Sequence, residues 1–569
     1  MAELALSIPQ KRTSAWATET DPKHARAWLA SLPLADSAEA AREIYQSLYT
    51  LNRLNLDAPQ RFELMEIYRG PVATVVGALE SYFSRLALPL TPKKRQLAEF
   101  IRQLHMEMAY GYKAALRDLP SSRLWWGKKS LLTLTLTRVM QYLGEVLLRS
   151  YQVYMPYPAG VWKEIHDLYR YAETRGIHNG VAVSRDSVAE TSITQDYLRI
   201  LLLGLSNPYH MPQDECRQLQ RFLQKWATKA TLQSLGEAAN PMGHFLIKSV
   251  DAPPIPFPRD TPVPAGPEMR LLDVSELTRT ASTFITRLQR GESARSMDIG
   301  VDCLDSACLE MLQRVVRVWG LSVQRQHVRI KRTGYVFVCA GVGAVHFFSN
   351  GQKPLAPPVS MDPGVMMDDR VTLPEHMDQE EDFIPLDEPV SDQLSPAPME
   401  IVPIASEAFR MDRWQVRDSG PKGLFLVRYG SMQTSVRVGD VIGIQRTDDL
   451  ERWSVGVVRW MKSPEASCLQ MGVELLAPSV QPVSIRPGNG DNAAAASAHF
   501  AGLLLPAMQA PPQPVTLLAP RGVCQLGRDV WLLQENIPTR LIRPLQRLQQ
   551  TGSVEQFVCA DVMQEPAGS

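Results

Sequence analysis

The sequence has no net charge and no long apolar run, and each absence argues against a class of protein. It contains 60 Lys and Arg residues against 60 Asp and Glu residues, so no overall field attracts nucleic acid or an anionic membrane. The strongest apolar stretch, residues 200–205, is far shorter than the roughly 18 to 20 residues that cross a bilayer. We therefore predict no membrane span and disfavour nucleic acid as a partner.

Cysteine is also scarce, with seven residues scattered over a chain of 569. An odd number of cysteines at wide spacing is typical of free thiols in a reducing compartment rather than of a disulfide framework. The first thirty residues lack an apolar core followed by a small-residue cleavage site, so we predict no secretory signal. Together these features predict a cytoplasmic protein.

Signatures of common enzymes are missing as well. The sequence has no phosphate loop ending in Gly-Lys-Ser/Thr, no Gly-x-Ser-x-Gly elbow and no His-Glu-x-x-His pair. Cys303 and Cys308 are five residues apart on a predicted helix and would face different directions, whereas metal ligands are expected three or four residues apart. The sequence therefore predicts no enzyme, no metal site and no cofactor.

Proline, in contrast, is abundant and divides the chain. Seven of the 43 prolines lie within residues 253–267, which predicts a stiff linker because proline removes backbone donors. Residues 351–400 combine nine prolines with twelve acids and two basic residues, a composition typical of disorder. A run of Gly, Asn and Asp near residue 490 marks a third break. We predict linkers at 251–268, 351–404 and 481–498, and ordered domains at 15–250, 269–350, 405–480 and 499–562.

These domains give a multidomain α+β protein. In 15–250, Asp36 and Glu39 have capping-box spacing, and Ile44, Leu48 and Leu51 repeat every three or four residues. This pattern continues and predicts an all-α bundle or solenoid of seven or eight helices. Residues 269–350 are predicted to form a small α+β unit, two helices followed by a hairpin around Thr333-Gly334. Residues 499–562 are predicted to form a small β-rich unit.

Residues 405–480 carry the functional signal. Five short predicted strands separated by turns fit a small antiparallel barrel. The acid-to-glycine turn Asp418–Gly423, the step Val438–Asp440, the strand Gly456–Trp460 and the closing segment Gly472–Leu475 resemble the PilZ domain. Members of that family commonly bind the bacterial second messenger cyclic di-GMP. The resemblance implies a PilZ-like barrel that binds this dinucleotide.

Two motifs of the PilZ family are matched in part. One motif is Asp or Asn, any residue, Ser, two of any residue, and Gly. Asp418 and Gly423 keep its spacing, but the serine, Ser419, is one position early. The other motif is two arginines four positions apart ahead of the first strand. One such pair, Arg413 and Arg417, falls inside a predicted strand. The other pair lies about ninety residues upstream of Asp418 and consists of Arg325 and Arg329.

The resemblance therefore implies a site in which Asp418 and Ser419 contact guanine edges and nearby arginines contact phosphate. Its candidate ligand-binding residues are Arg410, Arg413, Arg417, Asp418, Ser419, Gly423, Arg325 and Arg329.

Three functions are compatible with the sequence. We favour a non-enzymatic bacterial cyclic di-GMP effector that couples the barrel to a helical region contacting an unknown protein partner. The alternative is a protein scaffold or adaptor whose degenerate barrel no longer binds the dinucleotide. The third is RNA binding through the cations of residues 325–332, although alternating charges on a strand usually mark its solvated face.

Overall fold

A computed structural model describes most of the chain. The described residues are 4–11, 16–34, 36–83, 87–119, 126–182, 191–235, 243–258, 266, 268–299, 305–320, 330–353, 355, 409–487, 499–509, 512–534 and 537–564. Most of the predicted linker 351–404 lies outside them, as do Arg325 and Arg329. The chain divides into two compact units, which we call the helical unit (residues 1–86 and 90–325) and the barrel unit (residues 87–89 and 326–569).

The helical unit confirms the predicted all-α region. Its first eight described α-helices are Pro22–Ser31 (α1), Ser37–Arg53 (α2), Ala58–Glu80 (α3), Pro92–Asp118 (α4), Trp126–Gln152 (α5), Val161–Thr174 (α6), Ile193–Leu205 (α7) and Gln213–Trp226 (α8). The Asp36 side chain caps α2 by accepting from the backbone N–H of Glu39 at 3.2 Å. This is the helix start that the sequence spacing predicted.

One stretch of α5 is more apolar than the sequence analysis recognised. Among the described residues, Ser130–Gln152 is long and apolar enough to cross a bilayer, and 61% of its most apolar window is buried inside the structure. Helices buried in the core of a bundle are apolar on most sides. This stretch therefore does not indicate a membrane span.

A small sheet and two further helices complete the helical unit. The antiparallel strands Thr231–Ser234 (β1), His244–Lys248 (β2), Ile255–Pro256 (β3) and Met269–Asp273 (β4) are ordered β1-β4-β2-β3. The helices Ser275–Gln289 (α9) and Asp305–Gly320 (α10) follow. Trp319 of α10 donates to the buried Ser206 hydroxyl at 3.1 Å. These helices thus belong to the helical unit, whereas the sequence suggested a separate middle unit.

The predicted proline linker is structured over residues 251–258. Ile255 and Pro256 pair with β2 at the edge of the sheet, where a proline can sit because its missing N–H is not needed by a further strand. The Asp251 carboxylate caps α6 and accepts from the backbone N–H groups of Gly160 at 2.7 Å and Trp162 at 3.0 Å. Composition predicted the stiffness of this segment but not its partners.

The barrel unit begins with a closed antiparallel barrel, the first barrel. Its six strands are Ile330–Ala340 (β5), Asp412–Gly420 (β6), Gly423–Tyr429 (β7), Val441–Arg446 (β8), Asp449–Glu465 (β9) and Cys468–Ala477 (β10), ordered β8-β9-β10-β7-β6-β5. The segment predicted as a hairpin around Thr333 is the single strand β5. It pairs with both β6 and β8, so it closes the barrel and leaves no exposed edge.

The predicted β-rich tail is a second closed barrel. Its strands are Gln481–Pro487 (β11), Phe500–Leu505 (β12), Thr516–Pro520 (β13), Val530–Gln534 (β14), Ile537–Gln550 (β15) and Val554–Gln564 (β16), ordered β11-β12-β13-β16-β15-β14. Residues 481–487, predicted as linker, supply its first strand. The remainder of that predicted linker, residues 488–498, lies outside the described residues.

A short helix joins the cores of the two barrels. Val342–Ser349 (α11) follows β5 directly, and its Val345 and Phe348 share a buried cluster with Trp453 of the first barrel and Leu503 of the second. The Phe348 and Trp453 rings are stacked with centroids 5.7 Å apart. Burial of this apolar surface stabilises the two barrels together.

Five described cysteines are free thiols: Cys216, Cys339, Cys468, Cys524 and Cys559. Cys308 is disulfide-bonded, so the prediction of free thiols is wrong at this position. Cys308 lies on helix α10. Cys303, which the sequence analysis placed on the same predicted helix, lies outside the described residues.

A buried ion pair ties the N-terminal segment to the helical core. Lys113 is fully buried on α4, and its ammonium lies 2.9 Å from the Glu164 carboxylate of α6. The backbone N–H and the hydroxyl of Ser7 both donate to the same carboxylate, at 3.0 and 3.2 Å. The pair therefore has further hydrogen bonds that offset part of its desolvation cost.

We expect Lys113→Met to lower the local unfolding free energy of α4 and α6 by about 3 kcal/mol, because it leaves the Glu164 charge buried without its partner. Hydrogen exchange of amides in these two helices of the full chain measures this. The matched double variant, Lys113→Met with Glu164→Leu, should recover most of the loss. Equal exchange in the single variant and the unsubstituted chain would show that the pair contributes little.

Candidate functional site

The Asp418–Gly423 turn joins β6 to β7. Gly420 and Gly423 are paired, and Pro421 and Lys422 form the exposed two-residue connection between them. The register shifts just before the turn, between Val416 and Asp418, so that Arg417 is an extra residue relative to β7. Bulges of this kind redirect side chains and are frequent beside functional sites. The acid-to-glycine motif thus occupies a distorted end of a hairpin.

Strand β5 enters the barrel at this same turn. The Cα partner of Ser419 is Ile330, and that of Asp418 is Lys331; paired residues of antiparallel strands have Cα atoms about 4.5 to 5.5 Å apart. In sequence, Arg329 directly precedes Ile330. Strand pairing therefore brings Lys331 and Asp418 together although they are far apart in the sequence.

Two of the other candidate arginines lie away from the turn. Arg413 is five positions before Asp418 on the extended strand β6, which corresponds to about 17 Å. It is exposed, its guanidinium lies 3.8 Å from the centroid of the Tyr335 ring, and it is opposite Phe337. Arg410 precedes the strand and is exposed as well. The structure therefore does not bring Arg410 and Arg413 to the Asp418–Gly423 turn.

Arg417 occupies an intermediate position. It is the extra residue of the bulge next to Asp418, it is exposed, and it donates to the Tyr429 hydroxyl at 3.1 Å. A guanidinium on the outside of the barrel beside the turn can reach an anion approaching from solvent. Arg413 and Arg417 thus lie on the same strand, and only Arg417 is near the turn.

Strand β10 holds the turn in place through contacts that were not predicted from the sequence. Glu474 is the Cα partner of Gly423, and the backbone N–H of Leu475 donates to the Lys422 carbonyl at 3.0 Å. The Glu474 carboxylate accepts from Arg459 at 2.6 Å, and Arg459 also donates to Gln549 of the second barrel at 2.8 Å. Glu474 and Arg459 both lie in segments that suggested the family, but their spacing did not reveal that they are paired.

Gly472 is required by a close ring contact. A Cβ atom at this position would lie 1.8 Å from the Trp460 indole nitrogen, far inside van der Waals contact. Trp460 in turn packs against Phe425 of β7, with ring centroids 5.4 Å apart. The glycine therefore lets this aromatic pair cover the strands that carry the turn.

Asp440 has an unusual protonation equilibrium. Burial raises its pKa to about 6, although the backbone N–H of Arg437 donates to its carboxylate at 2.8 Å and favours the ionised form. Gly439 beside it has φ of +96°, a conformation that glycine adopts most readily. The Val438–Asp440 step is therefore a tight structural turn into β8.

The described residues offer no group of three or more His, Cys, Asp or Glu side chains that could hold a metal ion. The site around the Asp418–Gly423 turn instead combines a half-buried carboxylate with exposed cations. This combination suits an organic anion that also presents hydrogen-bond donors.

The closed first barrel, with a turn between its second and third strands, is the kind of fold that the resemblance to the PilZ domain implied. Residues 245–482 match the family model described as the middle PilZ domain of the cyclic-di-GMP receptor FimW. Residues 245–482 of this chain therefore constitute a PilZ domain. The match extends well upstream of residue 405 and includes β5, in agreement with its place in the barrel.

The flanking regions match models of the same domain set. Residues 23–239 match the N-terminal domain of the cyclic-di-GMP receptor FimW, and residues 485–559 match the FimW C-terminal β-barrel domain. The cyclic-di-GMP receptor FimW of Pseudomonas aeruginosa is 28% identical to this chain over 95% of the chain and 90% of that protein. No solved structure matches the chain.

The raised pKa of Asp440 predicts a pH-dependent stability of the barrel unit. Its folded pKa lies above the ordinary value of 3.8, so the stability contributed by the protonated form is lost as the pH rises from about 4 to 6. We expect Asp440→Asn, which resembles the protonated acid, to raise unfolding stability at neutral pH by about 1 to 2 kcal/mol. Near pH 4 the difference should be small.

Scanning calorimetry of the full chain at several pH values tests this. Asp529→Asn is the control, because Arg543 holds the pKa of the half-buried Asp529 below its ordinary value, so its titration lies below this window. An Asp440→Asn variant with the same dependence on pH as the unsubstituted chain would refute the prediction.

Proposed function

We propose that this chain is a non-enzymatic bacterial receptor for cyclic di-GMP and that its first barrel binds the dinucleotide at the Asp418–Gly423 turn. The observation that carries the proposal is the pairing of Ile330 and Lys331 with Ser419 and Asp418. The PilZ family match and the name of the Pseudomonas aeruginosa relative support the choice of ligand.

In this proposal, Arg325 and Arg329 supply the arginine motif that the family has ahead of its first strand. Arg325 and Arg329 precede β5, and β5 is the first strand of the barrel in chain order. Arg329 directly precedes Ile330 in the sequence, and Ile330 is the strand partner of Ser419. The adjacency of Arg329 to Ile330 in the sequence supports the pair Arg325 and Arg329, rather than Arg410 and Arg413, as the main phosphate ligands in the proposal.

The chemistry of the ligand fits these groups. Cyclic di-GMP has two phosphates, which guanidinium groups bind through charge-assisted, often bidentate hydrogen bonds. Guanine also has N–H groups that can donate to a carboxylate such as Asp418, and acceptor atoms to which an arginine can donate. Ser419 can contribute a hydroxyl, and Gly423 allows the backbone to approach the ligand closely. Arg417, beside the turn, is a further cation for this site.

We expect Arg325→Ala and Arg329→Ala each to weaken cyclic di-GMP binding by about 10- to 100-fold, the effect of losing a charge-assisted hydrogen bond of roughly 1.5 to 3 kcal/mol. Asp418→Ala should weaken binding by a similar factor. Isothermal titration calorimetry of the full chain gives the dissociation constants. Arg540→Ala is the matched control, because it removes an arginine from an exposed ion pair of the second barrel.

Arg413→Ala separates the two possible arginine sets. Its position about 17 Å along β6 from Asp418 predicts unchanged affinity. A loss of affinity there, with none at Arg325 and Arg329, would transfer the site to the other end of the strand. Absence of binding by the unsubstituted chain at tens of micromolar, where binding is still worth about 6 kcal/mol, would favour the scaffold alternative.

The helical unit is proposed to contact a protein partner, and the receptor is proposed to act in the cytoplasm. Five of the described cysteines are free thiols, which fits a reducing compartment, whereas Cys308 is disulfide-bonded. A receptor requires that ligand binding change the preference among conformations or partners. A double variant, Arg325→Ala with Arg329→Ala, therefore distinguishes the receptor from the scaffold. If the chain is a receptor, the double variant should lose any effect of cyclic di-GMP on partner binding. If the chain is only a scaffold, the double variant should bind the partner as the unsubstituted chain does.

A further inference from the structure

The helical unit contains a cavity of about 450 Å³ between α3, α4, α5, α7 and α8. This volume lies within the range of roughly 300 to 1,000 Å³ typical of small-molecule sites. Part of its wall is apolar and is formed by Val72 and Val76 of α3, Leu203 of α7 and Leu223 of α8. The proposed dinucleotide site, on the first barrel, uses none of these residues.

A histidine in the cavity wall has unmet hydrogen-bonding capacity. His105 of α4 is 5% exposed, and neither ring nitrogen has a hydrogen-bond partner within the described part of the chain. Burial, aided by the charge of Arg149, lowers the pKa of His105 well below its ordinary value, so the ring is neutral at physiological pH. A neutral imidazole offers one donor and one acceptor, and leaving both unpaired in a protein interior is costly.

The charges that line the cavity are already matched. Arg149 lies 2.5 Å from Glu80 and 3.0 Å from Glu145, and Arg199 lies 2.7 Å from Asp196. The third arginine of the wall, Arg69, is paired with Glu66 at 3.1 Å. Since each guanidinium carries an ion pair, a charged ligand would have to displace a carboxylate or an arginine. The cavity therefore favours an uncharged occupant.

Small residues leave space along one wall of the cavity. Ala73 and Gly77 are exposed, line the cavity and lie one turn apart on α3. A Cβ atom at Gly77 would meet nothing within 4 Å. A bulky side chain at this position can therefore be accommodated and would occupy part of the space that a ligand needs.

We propose that this cavity binds a small uncharged molecule that has an apolar body and one hydrogen-bonding group. The His105 ring, whose nitrogens are covered in this structure, turns toward the cavity to bond that group. The apolar wall, the matched charges and the unpartnered imidazole each restrict the ligand to this class. The inference goes beyond dinucleotide binding and assigns the helical unit a ligand of its own.

The probe for the test is N-phenyl-1-naphthylamine, a neutral aromatic amine whose fluorescence rises in apolar surroundings. Titration into the full chain should give a saturable signal at one site per chain. The anionic analogue 8-anilino-1-naphthalenesulfonate has the same ring system with an added sulfonate, and it should bind at least about 10-fold more weakly because the cavity has no unmatched charge to receive it. No saturable binding of the neutral probe, or preference for the anion, would overturn the proposal.

Two glycines of α3 provide a matched pair of variants. Gly77→Phe should weaken binding of the neutral probe by at least about 10-fold by filling the cavity. Gly70→Phe should leave it unchanged, because Gly70 also has open space around its Cβ position but does not line the cavity. Both substitutions replace a helical glycine, so neither is expected to lower helix stability. Equal binding by the two variants would contradict the assigned location.

His105→Phe tests the recognition step separately. It keeps an aromatic ring of similar size but removes both hydrogen-bonding nitrogens, so affinity for the neutral probe should fall about 2- to 10-fold, the effect of one hydrogen bond. Unchanged affinity in this variant would overturn the role of His105. Cyclic di-GMP titrations of the same variants should match those of the unsubstituted chain, which distinguishes failure at this cavity from failure of the barrel site.

Discussion

Closure of the first barrel by β5 is the interaction on which the proposed site depends. Five strands alone would leave open edges, which proteins avoid. The sixth strand comes from the other side of the acidic segment. It pairs with β6 from Ile330 opposite Ser419 to Val338 opposite Asp412, with one register shift between Lys331 and Gly334. The need to close the sheet thus brings the residues before β5 to the acid-to-glycine turn. Folding and ligand binding rely on the same strand pairing.

The site is also connected to the second barrel. From Gly423 the contacts run through its strand partner Glu474 to Arg459 and then to Gln549. Gln549 in turn donates to Gln556, which donates to the buried Thr516 hydroxyl. Helix α11 adds an apolar core shared by both barrels. A ligand that orders the turn would therefore act on a unit whose two barrels are already joined by polar and apolar contacts.

Local sequence patterns predicted what is local in this fold. The helical periodicity after Asp36, the barrel strands after Trp414 and the Asp418–Gly423 turn were all visible in the sequence because each depends on neighbours in the chain. Strand β5 was mistaken for a hairpin because its alternation around Thr333-Gly334 is the same in one strand or two. Its partner strand begins more than seventy residues later, at Asp412. The pairing of Glu474 with Gly423 and the edge strand at Ile255 were missed for the same reason.

Hydrogen–deuterium exchange of the full chain with and without cyclic di-GMP tests the proposed site most directly. The dinucleotide should slow exchange in two separate peptides, one covering the residues from Arg325 to Lys331 and the other covering Asp418 to Gly423. Exchange near Arg413 and in the helical cavity should change little. Protection of only one of the two peptides, or protection centred elsewhere, would contradict a site assembled where β5 meets the turn.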